Sequence, residues 1–224
     1  MCGRFILITL GDIIGEEFQL AKKPDLIPRF NIAPSQSISA IRISTDSNLR
    51  ELCTLQWGLI PFWAKDTKIG YRTINARSET VADKPAFRAA FKHRRCLIPA
   101  DGFYEWKRHK GRKQNQPYFF QLKEARVFAF AGLWEHWKSA DGEVVESCTI
   151  LTTESNELVG QLHDRMPVIL DRKHYELWLD TTVNGVDALG HLLNPFPTEA
   201  MEYYPVSMLV NKPTNDCPQC IEPV

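Results

Sequence analysis

The second residue of the chain is a cysteine, and removal of Met1 would make Cys2 the N-terminal residue. An N-terminal cysteine carries an α-amine and a thiol on adjacent carbons. The amine, with an ordinary pKa of about 8, is partly unprotonated near neutral pH and forms an imine with an aldehyde, after which the thiol closes a five-membered thiazolidine ring. An internal cysteine has no free amine for this reaction. The position of Cys2 therefore suits aldehyde chemistry, and a small buried side chain is the structural alternative.

Six further polar residues lie in stretches whose pattern is otherwise structural. Carboxylates and imidazoles transfer protons, guanidinium groups bind phosphates with two hydrogen bonds, and amides orient other groups without competing for protons. Each residue alone has a commoner explanation, such as a surface glutamate, a capping histidine or a turn asparagine. Together they suit a reaction of the Cys2 end with a substrate that carries phosphates. The six are Arg4, Asn31, Asn75, Arg77, Glu105 and His163.

The elements that must position these residues follow from hydrophobic periodicity. The pattern predicts about nine strands, mostly alternating, and few βαβ units. Helical spacing predicts short helices near residues 10–20, 80–94, 156–163, 172–179 and 185–193, and a last strand at 203–210. The sequence therefore predicts an α+β fold, with residues 1–224 as one domain of curved, mainly antiparallel, barrel-like sheet and short flanking helices.

Two segments carry side chains that suit nucleic acid. Residues 61–65 (PFWAK) break the strand pattern and display Phe62 and Trp63, which either pack under another element or stack against a ligand. Residues 107–113 contain five Lys and Arg residues and have the pattern of a hairpin tip. A solvated turn and a nucleic-acid contact both fit this second segment.

Six short motifs occur in order along nearly the whole chain and together resemble the SRAP family. Members of this family are abasic-site processing proteins, also described as SOS response-associated peptidases. Each motif alone is short, and the combination with an N-terminal cysteine carries the resemblance. The motifs are MCGRF at 1–5, RFNIAP at 29–34, WGLIP at 57–61, INARSET at 74–80, CLIPADGFYEW at 96–106 and HDRMP at 163–167.

The resemblance implies capture of an abasic site in single-stranded DNA as a stable crosslink to Cys2, which shields the lesion. The ring-opened sugar supplies the aldehyde. Glu105 is expected near the α-amine, where it moves protons during imine formation, and His163 at the sugar oxygens. Asn75 is expected to orient the Cys2 end. In this interpretation Cys2, Glu105, His163 and Asn75 are the catalytic residues.

The resemblance also implies a set of DNA contacts. Arg4 and Arg77 are expected to clamp phosphates on either side of the lesion. Trp63, with Pro34 and Phe62, is expected to stack on bases or wedge between them. Family members can carry a Trp-Trp pair where this chain has Phe62 and Trp63, so the wedge departs from that pattern. The predicted DNA-binding residues are Arg4, Asn31, Pro34, Trp63 and Arg77.

Two other classes of function remain open from the sequence. An N-terminal-nucleophile hydrolase would cleave a peptide or amide bond through the Cys2 thiol, with the α-amine or His163 as base, and self-removal of Met1 is one form of this activity. A noncatalytic DNA- or protein-binding module would function without the Cys2 thiol. The Cys2→Ser variant separates this last class from the two that use Cys2.

Charge and cysteine content limit the remaining possibilities. Residues 1–113 contain 20 Lys and Arg against 11 Asp and Glu, a net charge of +9, whereas residues 114–224 contain 7 against 16, a net charge of −9. A positive half suits phosphate binding, and attraction between the halves is the alternative. Six dispersed cysteines predict reduced thiols, and Cys217–Cys220 lacks a second ligand pair for zinc. No cofactor or metal is expected.

The compartment and partners follow from the same features. No signal peptide or long apolar run is found, which predicts a cytoplasmic, chromosome-associated monomer that does not bind membranes. The expected partners are single-stranded DNA with abasic sites and the replication machinery.

Overall fold

The computed structural model describes residues 2–107, 115–124 and 127–224. Most of its regular structure is β-strand. In these ranges the strands are β1 (Phe5–Leu7), β2 (Arg29–Ile32), β3 (Ser37–Ile43), β4 (Arg50–Trp57), β5 (Asn75–Arg77), β6 (Arg95–Ala100), β7 (Gly102–Lys107), β8 (Gln116–Leu122), β9 (Phe128–Lys138), β10 (Val144–Glu154), β11 (Arg165–Pro167), β12 (Ile169–Leu170) and β13 (Met201–Pro205). The α-helices are α1 (Gly11–Glu17), α2 (Arg88–His93), α3 (Tyr175–Leu179) and α4 (Val186–Leu189).

Five strands close into a barrel in the order β10-β4-β3-β6-β9, because β9 pairs with both β6 and β10. The neighbours are antiparallel except for β4 and β10, which are parallel. Because the barrel is closed, both edges of each of these five strands pair with a neighbouring strand over part of their length. Strand β9 approaches β6 closely at Gly132, where an added Cβ would lie 2.8 Å from the sulfur of Cys96. Beyond the barrel, β5 and β11 extend the pairing of β10, and β12 pairs with β9.

A second sheet, in the order β13-β8-β7-β1-β2, lies against the barrel. Edge-to-face ring contacts join the two: Phe5 of β1 lies 5.3 Å from Trp57 and 5.8 Å from Phe130, measured between ring centroids. Phe103 of β7 also contacts Phe130, at 6.2 Å. The other face of this sheet packs against the C-terminal segment through a smaller apolar cluster that includes Val210.

The observed elements confirm the predicted α+β fold with curved, mainly antiparallel, barrel-like sheet and short helices. Helices α1 and α2 lie within the ranges 10–20 and 80–94, but α2 is shorter, and residues Ser78–Thr80 form a 3-10 turn that precedes it. The helices predicted at 172–179 and 185–193 are part 3-10 and part α.

Two sequence-based element assignments are wrong. Residues 156–163 contain a 3-10 turn at Val159–Gln161 instead of a helix, and the Asn156 side chain accepts a hydrogen bond from the Val159 N–H at 2.9 Å. This side-chain bond offers the backbone an alternative to helix. The last strand is Met201–Pro205 and not 203–210, because Pro205 ends its pairing with β8 and a 3-10 turn follows at Met208–Asn211.

Two expectations fall wholly or partly on other parts of the chain. Met1 and all of the basic segment at 107–113 except Lys107 lie outside the described residues. Within the described ranges, no helix has the length and apolar character needed to cross a membrane.

Candidate functional site

The pairing of β1 with β7 brings the N-terminal residues next to Glu105. Phe5 lies opposite Phe103, and the Tyr104 N–H donates to the carbonyl of Arg4 at 3.0 Å. The same antiparallel register, continued toward the N-terminus, brings residues 2–3 alongside Glu105. Cys2 is fully buried and Glu105 is 3% exposed. The sheet therefore places a thiol and a carboxyl group in one water-poor environment.

Asn75 holds the Cys2 end in place from the barrel side. Its side-chain amide donates to the carbonyl of Cys2 at 2.8 Å. Asn75 opens β5, where it pairs with Ile150 of β10, and the preceding carbonyl of Ile74 accepts a hydrogen bond from the Trp57 indole at 2.8 Å. The side-chain oxygen of Asn75 is buried and has no hydrogen-bond partner among the described residues. This oxygen can therefore accept a further hydrogen bond.

Burial changes the acid–base chemistry of both reactive groups. It raises the pKa of Glu105 to about 7. It also raises the pKa of the Cys2 thiol far above its ordinary value, and the Glu105 charge adds to this effect. Desolvation disfavours the charged form of each group. Near neutral pH, Glu105 therefore exists in both protonation states, while the Cys2 thiol keeps its proton.

His163 lies in the segment that enters β11, which pairs with β10 beyond β5. Its side chain is 28% exposed, and its Nδ1 accepts a hydrogen bond from the Arg165 N–H at 3.0 Å. The Asp164 carboxylate lies 2.9 Å from the same nitrogen. The Asp164 charge is also a minor cause of the raised pKa of Glu105, so Asp164 lies within electrostatic range of the buried carboxyl group. A hydrogen bond and a charge effect thus connect Cys2 with Asn75 and Glu105, and Asp164 links His163 to this group.

Three of the predicted DNA-binding residues are accessible. Arg77 is exposed and follows Asn75 by two positions on β5, so both side chains lie on the same face of that strand. Trp63 is 49% exposed and its indole N–H donates to the Pro85 carbonyl at 3.4 Å. Its neighbour Phe62 is 60% exposed, and Pro34 is half-buried. These side chains are available to contact bases and phosphates.

Arg4 and Asn31 are occupied by contacts within the protein. Asn31 is fully buried, and its amide donates to the carbonyls of Val210, Lys212 and Asn215 at 3.2, 3.0 and 2.6 Å. Its side-chain oxygen accepts from Arg4 at 2.7 Å. This burial does not favour a direct contact of Asn31 with DNA, and it gives Asn31 the structural role of holding the C-terminal segment.

The Arg4 guanidinium is only partly accessible. It also donates to the Val210 carbonyl at 2.7 Å and lies 5.6 Å from the centre of the Trp106 ring. Burial lowers its pKa. A phosphate contact by Arg4 would therefore use the part of the guanidinium that these internal bonds leave open.

The sequence-based assignment gave no role to two acidic residues within the motifs. Asp101 is buried and accepts hydrogen bonds from the N–H groups of Ile8 and Thr9 at 2.5 and 2.9 Å, which fixes the end of β1. Glu79 forms a two-point ion pair with Arg165. Both acids lie inside motifs that carry the family resemblance, and this position is the signal that could have marked them. The sequence does not indicate their partners, because these lie 93 and 86 residues away.

Comparison with known proteins gives a consistent result. Residues 1–213 match the family model described as SOS response associated peptidase (SRAP). The chain is 47% identical over 225 residues to the abasic site processing protein YoqW of Bacillus subtilis, covering 99% of both, and 48% identical to YoaM of the same organism. It is 36% identical to the abasic site processing protein HMCES of Xenopus tropicalis, covering 87% of this chain and 65% of that protein.

Solved structures share the fold over all or nearly all of the chain. A protein from Bacteroides thetaiotaomicron has a TM-score of 0.88 and 26% identity, with both chains covered completely. A protein from Bordetella bronchiseptica has a TM-score of 0.78 at 26% identity, covering 92% of this chain and all of that one.

Proposed function

Because this chain belongs to the SRAP family, we propose that it processes abasic sites in DNA by forming a thiazolidine crosslink through Cys2 after loss of Met1. Relatives over nearly its full length are named abasic site processing proteins. The observation that carries the chemistry is Glu105, a buried carboxyl group beside Cys2 with a pKa of about 7. A carboxyl group with this pKa both donates and accepts protons at neutral pH.

The reaction joins an aldehyde and an aminothiol with loss of one water molecule. The Cys2 amine attacks the aldehyde carbon of the ring-opened sugar, and the resulting carbinolamine loses its hydroxyl as water to give a protonated imine. Protonated Glu105 supplies the proton for that departing hydroxyl and becomes a carboxylate. The thiol then adds to the carbon of the protonated imine, a C–S bond forms, the C=N π electrons return to nitrogen, and the Glu105 carboxylate takes the thiol proton, which restores its protonated form.

Asn75 and His163 assist at the two ends of the reacting pair. The Asn75 amide fixes the Cys2 carbonyl, which limits rotation of the amine and thiol. His163 acts on the sugar oxygens, where opening and closing of the ring require proton transfer. Exposed Arg77 holds a flanking phosphate, and Trp63 stacks on a base next to the lesion.

Selectivity for the lesion has a physical basis. An abasic nucleotide has no base to unstack or unpair, so its rotation into a pocket costs less free energy than extrusion of an intact nucleotide. The aldehyde itself is the second filter, because intact nucleotides lack it. Single-stranded DNA is the favoured form, since the backbone there bends without loss of base pairs.

The raised pKa of the Cys2 thiol does not favour the hydrolase alternative. A cysteine nucleophile that attacks a peptide bond requires a thiolate, which a neighbouring cation or imidazole stabilises. Burial and the Glu105 charge have the opposite effect on Cys2. An aminothiol reaction begins at the amine and does not require a preformed thiolate.

Mass spectrometry of the N-terminal peptide tests the proposal. The mature chain is mixed with uracil-excised single-stranded DNA, and we expect a heat-stable adduct on Cys2. Cys2→Ala and a chain that retains Met1 should give no thiazolidine, whereas Cys53→Ala, at an internal thiol, should react like the unmodified chain. An unmodified Cys2 in folded, mature protein would refute the proposal. Turnover of a peptide library without a DNA adduct would support the hydrolase.

A further inference from the structure

The ion pair between Glu79 and Arg165 joins the two segments that carry Asn75 and His163. We infer that Glu79 is a positioning residue: it holds Arg165, whose main-chain N–H in turn orients the His163 ring. The effect on DNA chemistry rests on the proposed function. The effect on the ring of His163 stands independently of it.

The geometry of the pair is that of a strong, directional contact. Arg165 Nη1 donates to Glu79 Oε1 at 2.5 Å and Nη2 donates to Oε2 at 2.9 Å. Nη2 also donates to the Thr152 carbonyl at 2.6 Å. The Arg165 side chain is 12% exposed and the Glu79 side chain 45%, so solvent reaches the pair from the Glu79 side, and the two-point geometry and the Thr152 bond fix the guanidinium. The Arg165 side chain therefore has one well-defined position.

This position ties together two strands that have no direct pairing with each other. Thr152 of β10 lies opposite Arg77 of β5 in one pairing and opposite Pro167 of β11 in another. Glu79 lies in the 3-10 turn that follows β5, two residues after its end, and Arg165 begins β11. The ion pair thus crosses the end of β10 and connects the segment that holds Cys2 through Asn75 to the segment that carries His163.

The main chain of Arg165 contacts the imidazole ring of His163, so the position of Arg165 affects the orientation of this ring. Its N–H donates to Nδ1 of His163 at 3.0 Å. A neutral ring that accepts at Nδ1 carries its proton on Nε2. The Asp164 carboxylate, 2.9 Å from Nδ1, competes for this nitrogen and favours a ring protonated there. Displacement of Arg165 shifts that competition toward Asp164.

Because Glu79 is charged, its effect on DNA affinity can be distinguished from its effect on the position of His163. Glu79 is 45% exposed and lies near Arg77, whose charge contributes to the lowered pKa of Glu79, after the larger effect of the Arg165 hydrogen bond. A carboxylate beside a phosphate-binding arginine weakens DNA binding. Removal of this charge should therefore strengthen DNA binding, whereas misplacement of His163 should slow the reaction.

The test compares Glu79→Gln with Glu157→Gln, an exposed glutamate in the segment before His163 that undergoes the same charge change. Histidine ¹⁵N spectra of the DNA-free mature chain should show the Nε2–H tautomer of His163 in the unmodified chain and in Glu157→Gln, and a shifted tautomer ratio in Glu79→Gln. With abasic single-stranded DNA, Glu79→Gln should bind equally or more tightly and crosslink about tenfold more slowly.

Glu79→Asp provides a second variant that keeps the charge and is shorter by one methylene group. It should give intermediate ring spectra and an intermediate crosslinking rate, which also covers the case in which Glu79→Gln does not fold. Unchanged His163 spectra in both Glu79 variants would overturn the inference. If the unmodified chain forms no crosslink, the proposed function fails, and the spectra still decide the role of Glu79.

Discussion

Glu105 and Cys2 share one buried environment, and burial has different chemical consequences for the two. It brings the pKa of Glu105 to about 7, within the range where a carboxyl group exchanges protons efficiently at neutral pH. It keeps the Cys2 thiol protonated. The proposed reaction therefore starts at the amine, and the thiol reacts once the imine has formed and Glu105 has become a carboxylate able to accept the thiol proton.

The raised pKa of Glu105 also predicts a pH dependence of stability. The folded state holds this proton up to about pH 7, whereas the unfolded state releases it near pH 4.5, so the contribution of Glu105 to stability is present at low pH and is lost as the pH rises toward 7. Glu105→Gln removes this loss. The stability of the variant relative to the unmodified chain should increase between pH 4.5 and 8 by on the order of 3 kcal/mol.

Denaturant unfolding at several pH values measures this difference. Glu157→Gln serves as the control, because that side chain is exposed. A stability difference between Glu105→Gln and the unmodified chain that stays constant over this pH range would contradict the assigned environment of Glu105.

At the scale of elements, the site depends on the close approach of β7 to β8 next to β1. Gly102 begins β7, and a Cβ there would lie 2.2 Å from the Phe119 ring and 2.6 Å from the Phe120 carbonyl. The absence of a side chain at Gly102 lets β7 pair with both neighbours and carry Glu105 beside Cys2. The INARSET segment (residues 74–80) also positions site residues through its local structure. Its strand β5 carries Asn75, which contacts Cys2, and the turn after β5 carries Glu79, which pairs with Arg165.

Gly102→Ala should destabilise the protein by about 1–3 kcal/mol, because either the Phe119 ring or β7 must move. The same movement displaces Glu105, so the crosslinking rate should fall as well. Gly15→Ala is the matched control: this glycine lies inside α1, and its added Cβ would have ordinary contacts at 3.7 Å. It should gain about 0.5–1 kcal/mol from helix propensity. Thermal unfolding of both variants measures the contrast, and equal effects would argue against the steric explanation.

At the scale of the whole molecule, the opposite charges of the two halves leave a net charge of zero. Affinity for DNA must then come from local arginines and lysines and not from the total charge. Arg77 is exposed beside the candidate site, whereas Arg172, also exposed, pairs with Glu17. The two arginines therefore allow a test of local against general electrostatics.

Arg77→Ala should reduce the slope of log affinity for single-stranded DNA against log salt concentration by about 0.7, the value for one lost phosphate contact. Arg172→Ala should leave the slope unchanged. Fluorescence anisotropy with a labelled oligonucleotide over a range of salt concentrations measures both. Equal slopes for Arg77→Ala and the unmodified chain would show that Arg77 contacts no phosphate.

Local periodicity predicted the fold class, and six short motifs in order predicted the family, because both depend on short-range sequence patterns. The roles of the reactive groups from Cys2 to His163 follow from the same resemblance and stay predictions. The tertiary structure decided the environment of each group: the pKa of Glu105, the bond from Asn75 to Cys2, and the burial of Asn31. Desolvation depends on neighbours from distant parts of the chain, and the Glu79–Arg165 pair spans 86 residues. Such pairings arise only when the strands close around β10, so no local pattern specifies them.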